Sequence, residues 1–185
     1  MTVESSDRAL IDRYARGDGP AFSELVRRHQ RLVYNICFRV AGPADAEDLT
    51  QEVFIRLLDK VTLWRGDSKF TTWLYRLTLN HCRDALRRRR PDTVEVDERL
   101  VDPGPRPERT VESREIVDRV TAALMELPLD YRAVVFLRDI EGFAYGEIAE
   151  ILEIELGTVK SRLARARRRL CGLLEPISPA GHQRV

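Results

Sequence analysis

The chain has 185 residues, 43% of them hydrophobic and 33% charged, with a formal net charge of +1. That length holds one ordinary domain or two small ones, and the composition fits a soluble, heavily helical protein. No apolar run approaches the ~18 residues of a membrane helix, and the polar N-terminus lacks a signal-peptide h-region, so the chain is expected to stay in the cytoplasm without membrane insertion.

Nearly every segment reads as helix. Ser5, Ser6 and Asp7 offer N-caps for a short first helix through Leu10, Ile11 and Tyr14, stopped near Gly17. Asp18-Gly19-Pro20 restarts the chain, with proline tolerated in a first turn. Phe22, Leu25, Val26, Leu32, Val33, Ile36 and Val40 follow helical spacing and predict a long amphipathic second helix, ended by Ala41-Gly42-Pro43. A third helix is expected from about Ala44 to Val61. Asp45, Glu47 and Asp48 complement the dipole of its first turn. Its apolar face is Leu49, Val53, Leu57 and Val61, widened by Phe54 and Leu58. A loop, Thr62 to Lys69, leads to a fourth helix, Phe70 to Arg90, with Phe70, Trp73, Leu74 and Leu77 on its buried side. Residues 1–90 thus form a helical bundle. From 91 to 110 the chain is acidic and rich in proline, which suits a flexible linker better than a structureless loop inside one domain.

Residues 111–175 predict four further helices. Val117, Val120, Leu124 and Leu127 line the first. The second, which Asp130 can cap, carries Ala133, Phe136, Leu137 and Ile140 and ends at Gly142. The third, Tyr145 to Leu152, turns through Glu153-Ile154-Glu155 into the fourth, Leu156 to about Leu174. These last two have helix-turn-helix proportions. Ile148, Ala149, Leu152 and Ile154 are expected to pack on Val159 and Leu163. Ala144 stands where a capping serine or threonine is wanted, a loss of ~1 kcal/mol, and Glu147 supplies the other half of a capping box. A frayed tail, 176–185, follows.

Charge is unevenly spread. Arg83 and Arg87 to Arg90 form one basic block; Lys160, Arg162, Arg165, Arg167, Arg168 and Arg169 form another. Acids gather at Asp45, Glu47, Asp48 and Glu52 and between Asp92 and Glu112, a surface suited to a basic protein partner. The span Trp64 to Arg90 joins aromatic residues to arginines, a combination that suits single-stranded or opened nucleic acid; a buried aromatic helix with a solvated basic end is the competing reading. On the last helix Lys160, Ser161, Ala164, Arg165 and Arg168 face outward. Their early members are short enough for close entry into a major groove, and no acid balances this helix before Glu175. Cys37, Cys82 and Cys171 lie far apart and form no ligand cluster. His29, His81 and His182 lack partners for catalysis, and no phosphate-binding or hydrolase motif is present, so no catalytic residue, metal or cofactor is expected.

Three ordered segments carry a resemblance. D-A-E-D-L-T-Q-E-V-F, then R-G-D-S-K-F-T-T-W-L-Y-R-L-T-L-N, then G-F-A-Y-G-E-I-A-E-I-L with G-T-V-K-S-R-L-A-R-A-R resemble bacterial sigma factors of the sigma-70 family. The two-domain length resembles their extracytoplasmic-function (ECF) group. The resemblance implies an all-α protein: a region 2-type bundle joined by the linker to a region 4-type helix-turn-helix domain. It implies a promoter-specificity subunit that binds core RNA polymerase and promoter DNA and is held inactive by an anti-sigma factor. Asp48, Gln51 and Glu52 match the segment that docks on the polymerase coiled coil. Trp64, Ser68, Lys69, Asn80, Arg83 and Arg87 match the element that reads and opens the −10 region, its loop forming a pocket for a flipped base. The spacing of Trp73 with Phe70 and Leu77 favours core over base stacking. Thr158, Lys160, Ser161, Ala164, Arg165 and Arg168 match the −35 reader, and the acidic linker matches a segment running toward the RNA exit path. A stand-alone helix-turn-helix regulator with a sensing N-terminal bundle is the alternative, but such a regulator needs neither the acidic third helix nor the aromatic loop.

Overall fold

Helices account for the regular structure of residues 6–89 and 119–174, the residues that the computed structural model describes, and no strand occurs among them. They belong to two units, one holding residues 6–89 and the other 119–174. The expected linker 91–110, the tail 176–185, Arg90 and Val117 lie outside the described residues.

The first unit has helices α1 (Asp7–Ala15), α2 (Gly19–Ala41), α3 (Pro43–Lys60) and α4 (Phe70–Arg89), with a short 3-10 turn, Val61–Leu63, after α3. Ser6 Oγ accepts from the Ala9 amide at 3.3 Å and caps α1. Gly42 ends α2 and starts α3 at φ 101°, a left-handed conformation that a β-carbon disfavours. The helix α2 packs against α1, α3 and α4 and forms the centre of the bundle. Leu25, Val33, Ile36 and Val40 of α2 are buried against Leu49, Val53 and Leu57 of α3 and Leu74, Leu79 and Ala85 of α4. Each such large side chain contributes about 1.5–3 kcal/mol relative to exposure.

The buried side of α4 differs from the expected one. Phe70 and Leu74 are buried, but Trp73 and Leu77 are only half-buried, and Tyr75, Thr78, Leu79, His81, Cys82 and Ala85 complete the inward face. The two flanking helices α2 and α3 press on a wider arc than the apolar residues alone mark, so Thr78 and His81 are enclosed too. Thr78 satisfies its hydroxyl on the Leu74 carbonyl at 2.8 Å. On α3, likewise, Leu58 is exposed and Phe54 half-buried rather than widening the core. Cys37 and Cys82 meet in the core with Sγ atoms 3.8 Å apart. The contact with Cys37, then burial, pushes the Cys82 thiol far above the ordinary range.

The second unit holds a helical stretch 119–125 (α5), α6 (Leu129–Val135) running on into a π turn, Phe136–Ile140, then α7 (Tyr145–Leu152) and α8 (Leu156–Leu174). Arg132 of α6 closes the end of α5. Its Nε donates to the Leu124 carbonyl at 3.0 Å and its Nη2 to the carbonyls of Met125 and Leu127 at 2.6 and 3.0 Å. Carbonyls at a helix end are thus met by a cation at the negative end of the dipole. Val134, Phe136 and Leu137 pack with Ile148, Ile151 and Leu152 of α7 and Val159, Leu163 and Ala166 of α8 to form this unit's core.

Candidate polymerase and nucleic-acid interfaces

Three outward surfaces carry the residues singled out by sequence. The first is on α3. Its buried positions Ala46, Leu49, Val53 and Leu57 turn Glu47, Asp48 and Gln51 to solvent, and Ile55 and Leu58 follow them on the same side, Ile55 67% exposed and Leu58 48%. Acidic and amide groups beside an uncovered aliphatic strip suit a protein surface better than DNA. Ile55 and Leu58 were not among the expected contact residues; their spacing of four and seven residues from Gln51 is the signal that marks them.

Glu52 is placed differently from Asp48 and Gln51. Its Oε2 accepts from His81 Nε2 of α4 at 2.7 Å, and the imidazole is 2% exposed. The His81 Nδ1 is buried without a hydrogen bond. That pattern fits the neutral tautomer with its proton on Nε2. Burial pulls the His81 pKa below the ordinary value, outweighing the hydrogen bond to Glu52, which raises it. Glu52 therefore ties α3 to α4, and Asp48 with Gln51 is left as the outward polar pair.

The second surface comprises the loop before α4 and that helix's outer side. The loop is folded on its own aromatic residues. Trp64 donates its indole N–H to the Ser68 carbonyl at 3.2 Å and meets Phe70 edge-on with centroids 5.5 Å apart. Phe70 in turn stacks on Trp73 and meets the buried His29 edge-on. This network occupies the polar edge of Trp64, so the indole shapes the loop. Lys69 is exposed at its end. From there Trp73, Arg76, Asn80, Arg83 and Arg87 recur three and four residues apart, all outside the core. One helix face therefore gathers the expected Lys69, Asn80, Arg83 and Arg87, and adds Arg76. The helical spacing already contained Arg76; its place between Tyr75 and Leu77 hid it.

The third surface is the helix-turn-helix. Glu147 Oε2 accepts from the Ala144 amide at 2.8 Å, the expected half of a capping box at the start of α7. Glu153 turns the chain at φ 55°, and the Ile154 amide bonds to the Ala149 carbonyl at 3.0 Å. Val159, Leu163 and Ala166 of α8 are buried, with Leu170 half-buried beyond them. On the opposite side Lys160, Ser161, Ala164, Arg165 and Arg168 are exposed, and Thr158 is half-buried beside them. The expectation that no acid balances this helix is corrected. Arg162 pairs with Asp130 at 3.1 Å and Arg167 with Asp139, each from α6 or its π turn. The Asp139 hydrogen bond pushes the Arg167 guanidinium further up. Two arginines of the basic block thus anchor α8, and Lys160, Arg165 and Arg168 remain on the open face.

No group of acids, histidines and cysteines arranged to hold a metal occurs among the described residues, and none of their helices is long and apolar enough to cross a membrane.

Known proteins share this arrangement. The sigma-70 region 2 family model matches residues 25–91 and the sigma-70 region 4 model residues 118–170. The chain is 35% identical to the ECF RNA polymerase sigma-E factor of Escherichia coli (strain K12), over 96% of this chain and 98% of that protein. Its likeness to the sigma-E factor of Haemophilus influenzae is also 35%, over 96% of this chain and all of the other. Among solved structures, CnrH in complex with the cytosolic domain of CnrY matches with a TM-score of 0.65 and 28% identity, covering 94% of this chain and 100% of that one. The sigma factor RpoE in complex with the anti-sigma factor NepR, from Bartonella quintana, matches in fold with a TM-score of 0.66 at 24% identity, over 83% of this chain and 96% of that one.

Proposed function

The chain belongs to the ECF sigma factors of the sigma-70 family, and from that premise we propose how its residues divide the work. It is a sigma factor that binds core RNA polymerase, recognises −35 and −10 promoter elements and promotes DNA opening. Residues 1–90 carry polymerase binding and −10 recognition, 111–175 carry −35 recognition, and 91–110 link them. The protein acts in the cytoplasm as a specificity subunit, with the catalytic chemistry left to the polymerase.

Asp48 and Gln51 dock on the polymerase, with Glu52 holding their helix to α4 through His81. Ile55 and Leu58 extend that contact with apolar area. On the DNA, the loop 64–69 receives one unpaired non-template base, and Asn80 on the adjoining helix offers an amide for its edge. Extruding a base requires a few kcal/mol, which stacking and hydrogen bonding in the pocket offset. Arg76, Arg83 and Arg87 follow the backbone of the opened strand electrostatically. Thr158, Lys160, Ser161, Ala164, Arg165 and Arg168 meet the −35 duplex. The small Ser161 and Ala164 let α8 approach the groove floor, where Arg165 reaches a base edge. An anti-sigma factor holds the chain inactive, a reading supported by the complexes in which the structural neighbours occur.

The observation that carries the assignment is the split of α8 into a buried apolar face and an open face holding Lys160, Arg165 and Arg168, while Arg162 and Arg167 are spent on internal ion pairs. Run-off transcription on genomic fragments with purified chain and bacterial core enzyme tests the function. Promoter-dependent transcripts are expected only when both are present; their absence with both present would refute it.

A further inference from the structure

Arg8 of α1 has no place in the division of labour above, yet it makes the long-range contacts that hold the base-capturing loop. Its Nη1 donates to the carbonyl of Arg65, 57 positions along the chain, at 3.1 Å. Its guanidinium lies over the Trp64 ring, 5.6 Å from the centroid. Its Nε edge is held by the Asp12 carboxylate, one helical turn away, at 3.3 Å. The loop is shaped to admit it. Gly66 sits at φ +87°, and a β-carbon there would come within 2.9 Å of Arg8 Nη1. The helix that carries Arg8 is itself fixed, since Leu10 and Ile11 are buried and Asp7 Oδ1 pairs with Arg28 of α2 at 2.7 Å. It also packs on the 3-10 turn that feeds the loop.

An exposed arginine ordinarily keeps its rotamer freedom. Here Asp12, the Trp64 face and the Arg65 carbonyl constrain one guanidinium from three sides, and Trp64 is bonded onward to Ser68. The peptide between Arg65 and Gly66 is thereby oriented from outside the loop. A loop that must receive an extruded base binds it more tightly when its conformation is set beforehand, because the ordering entropy is not charged to the binding step.

We propose that Arg8 is a positioning residue that preorganises the loop Trp64–Lys69 for capture of the unpaired −10 base. The proposal rests on the reading of that loop as the base receptor. Arg8 itself touches no DNA.

The test uses holoenzyme made from the full chain and core polymerase. Its probes are fluorescent single-stranded −10 oligonucleotides, one intact and a set with an abasic site at each position in turn. Wild-type holoenzyme is expected to prefer the intact strand over one abasic version. Arg8→Ala is expected to shrink that preference roughly threefold to thirtyfold, the range set by one cation-π contact and one hydrogen bond. Binding of the abasic strand and of core polymerase stays unchanged. Arg8→Lys, which keeps the charge but cannot make the forked contact, is expected to lose the preference too. An equal loss on intact and abasic strands would make Arg8 a phosphate contact and overturn the proposal. So would full function of Arg8→Lys, or an unaltered preference in Arg8→Ala. If the wild type itself shows no preference at any position, the loop is not the base receptor, and the proposal falls with that reading. Should Arg8→Ala prove unstable in thermal melts, Arg8→Lys and Asp12→Asn serve in its place, Asp12→Asn being expected to weaken the preference in the same direction.

Discussion

The Nε2–H of His81 donates to Glu52 while its Nδ1 is buried without a partner, and burial holds the ring below the ordinary histidine range of about 6.5. The sign of the pH effect follows. Between the depressed folded value and the unfolded one, the unfolded chain binds a proton that the folded chain refuses. This histidine's contribution is therefore fully present above about pH 6.5, falls as pH drops through the folded value, and levels off below it. Thermal melts from about pH 7.5 to about pH 5 should show that decline, and His81→Gln should flatten it; a variant that tracks the wild type would place the effect elsewhere. Arg132 presents a second residue-scale case. It serves carbonyls of Leu124, Met125 and Leu127, and removing it strips the cation from all three, the Leu124 carbonyl keeping the Leu127 amide at 3.1 Å. Arg132→Ala is expected to destabilise the C-terminal unit by about 2–3 kcal/mol, read from urea unfolding. Arg132→Lys should recover little, because an ammonium cannot span the fork.

At the scale of elements, α3 separates two tasks around its circumference. One side supplies Ala46, Leu49, Val53 and Leu57 to the core, and the other offers Asp48, Gln51, Ile55 and Leu58 outward. Helical spacing keeps the two sets apart, so the outward residues can change without altering the core. Replacing Asp48 and Gln51 together by alanine is expected to weaken core-polymerase binding roughly tenfold or more, with an unchanged circular dichroism spectrum and melting point. Unchanged affinity would remove the pair from the interface. The helix α8 is divided in the same way, but its charged residues do not all share one role. Arg162 and Arg167 hold it to Asp130 and Asp139, so substitutions there should affect stability more than DNA choice. Its partner α7 starts on Ala144 with only the Glu147 half of the box and ends at Glu153 in a left-handed conformation. Packing by Ile148, Ile151 and Leu152, all buried, compensates for these weak ends.

For the whole molecule, a net charge of +1 hides two basic surfaces offset by acidic residues. On the proposed division of work, the two DNA-reading units gain from sharing one chain. Once one is bound, the other meets its site at an effective concentration set by the linker, which raises avidity about 10²–10⁴-fold. Removing Lys160, Arg165 and Arg168 together is therefore expected to lower holoenzyme affinity for a complete promoter by about 10²-fold or more, with binding of a −10 oligonucleotide unchanged. Equal losses on both DNAs would instead indicate a general electrostatic effect, and the salt dependence of binding would separate the two.

Periodicity and capping residues were enough to predict the helices from Ser6 to Arg89 and the helix-turn-helix, because helix formation follows local spacing and end chemistry. The ordered motifs around Asp48, Phe70 and Lys160 were enough to indicate the family. Tertiary structure decided which residues of each helix are free to act. Glu52 reads as a surface acid beside Asp48, yet His81, 29 positions away, claims it. Arg162 and Arg167 read as members of an unbalanced basic block until Asp130 and Asp139 are brought beside them. Trp73 and Leu77 read as core, but the packing of α2 and α3 leaves them half-buried. Arg8, which no sequence motif marks, meets Trp64 and Arg65 only in the folded bundle. Local sequence sets the helices, because those depend on neighbours a few residues apart; the arc of each helix that is buried and the pairings between helices depend on contacts that only folding creates.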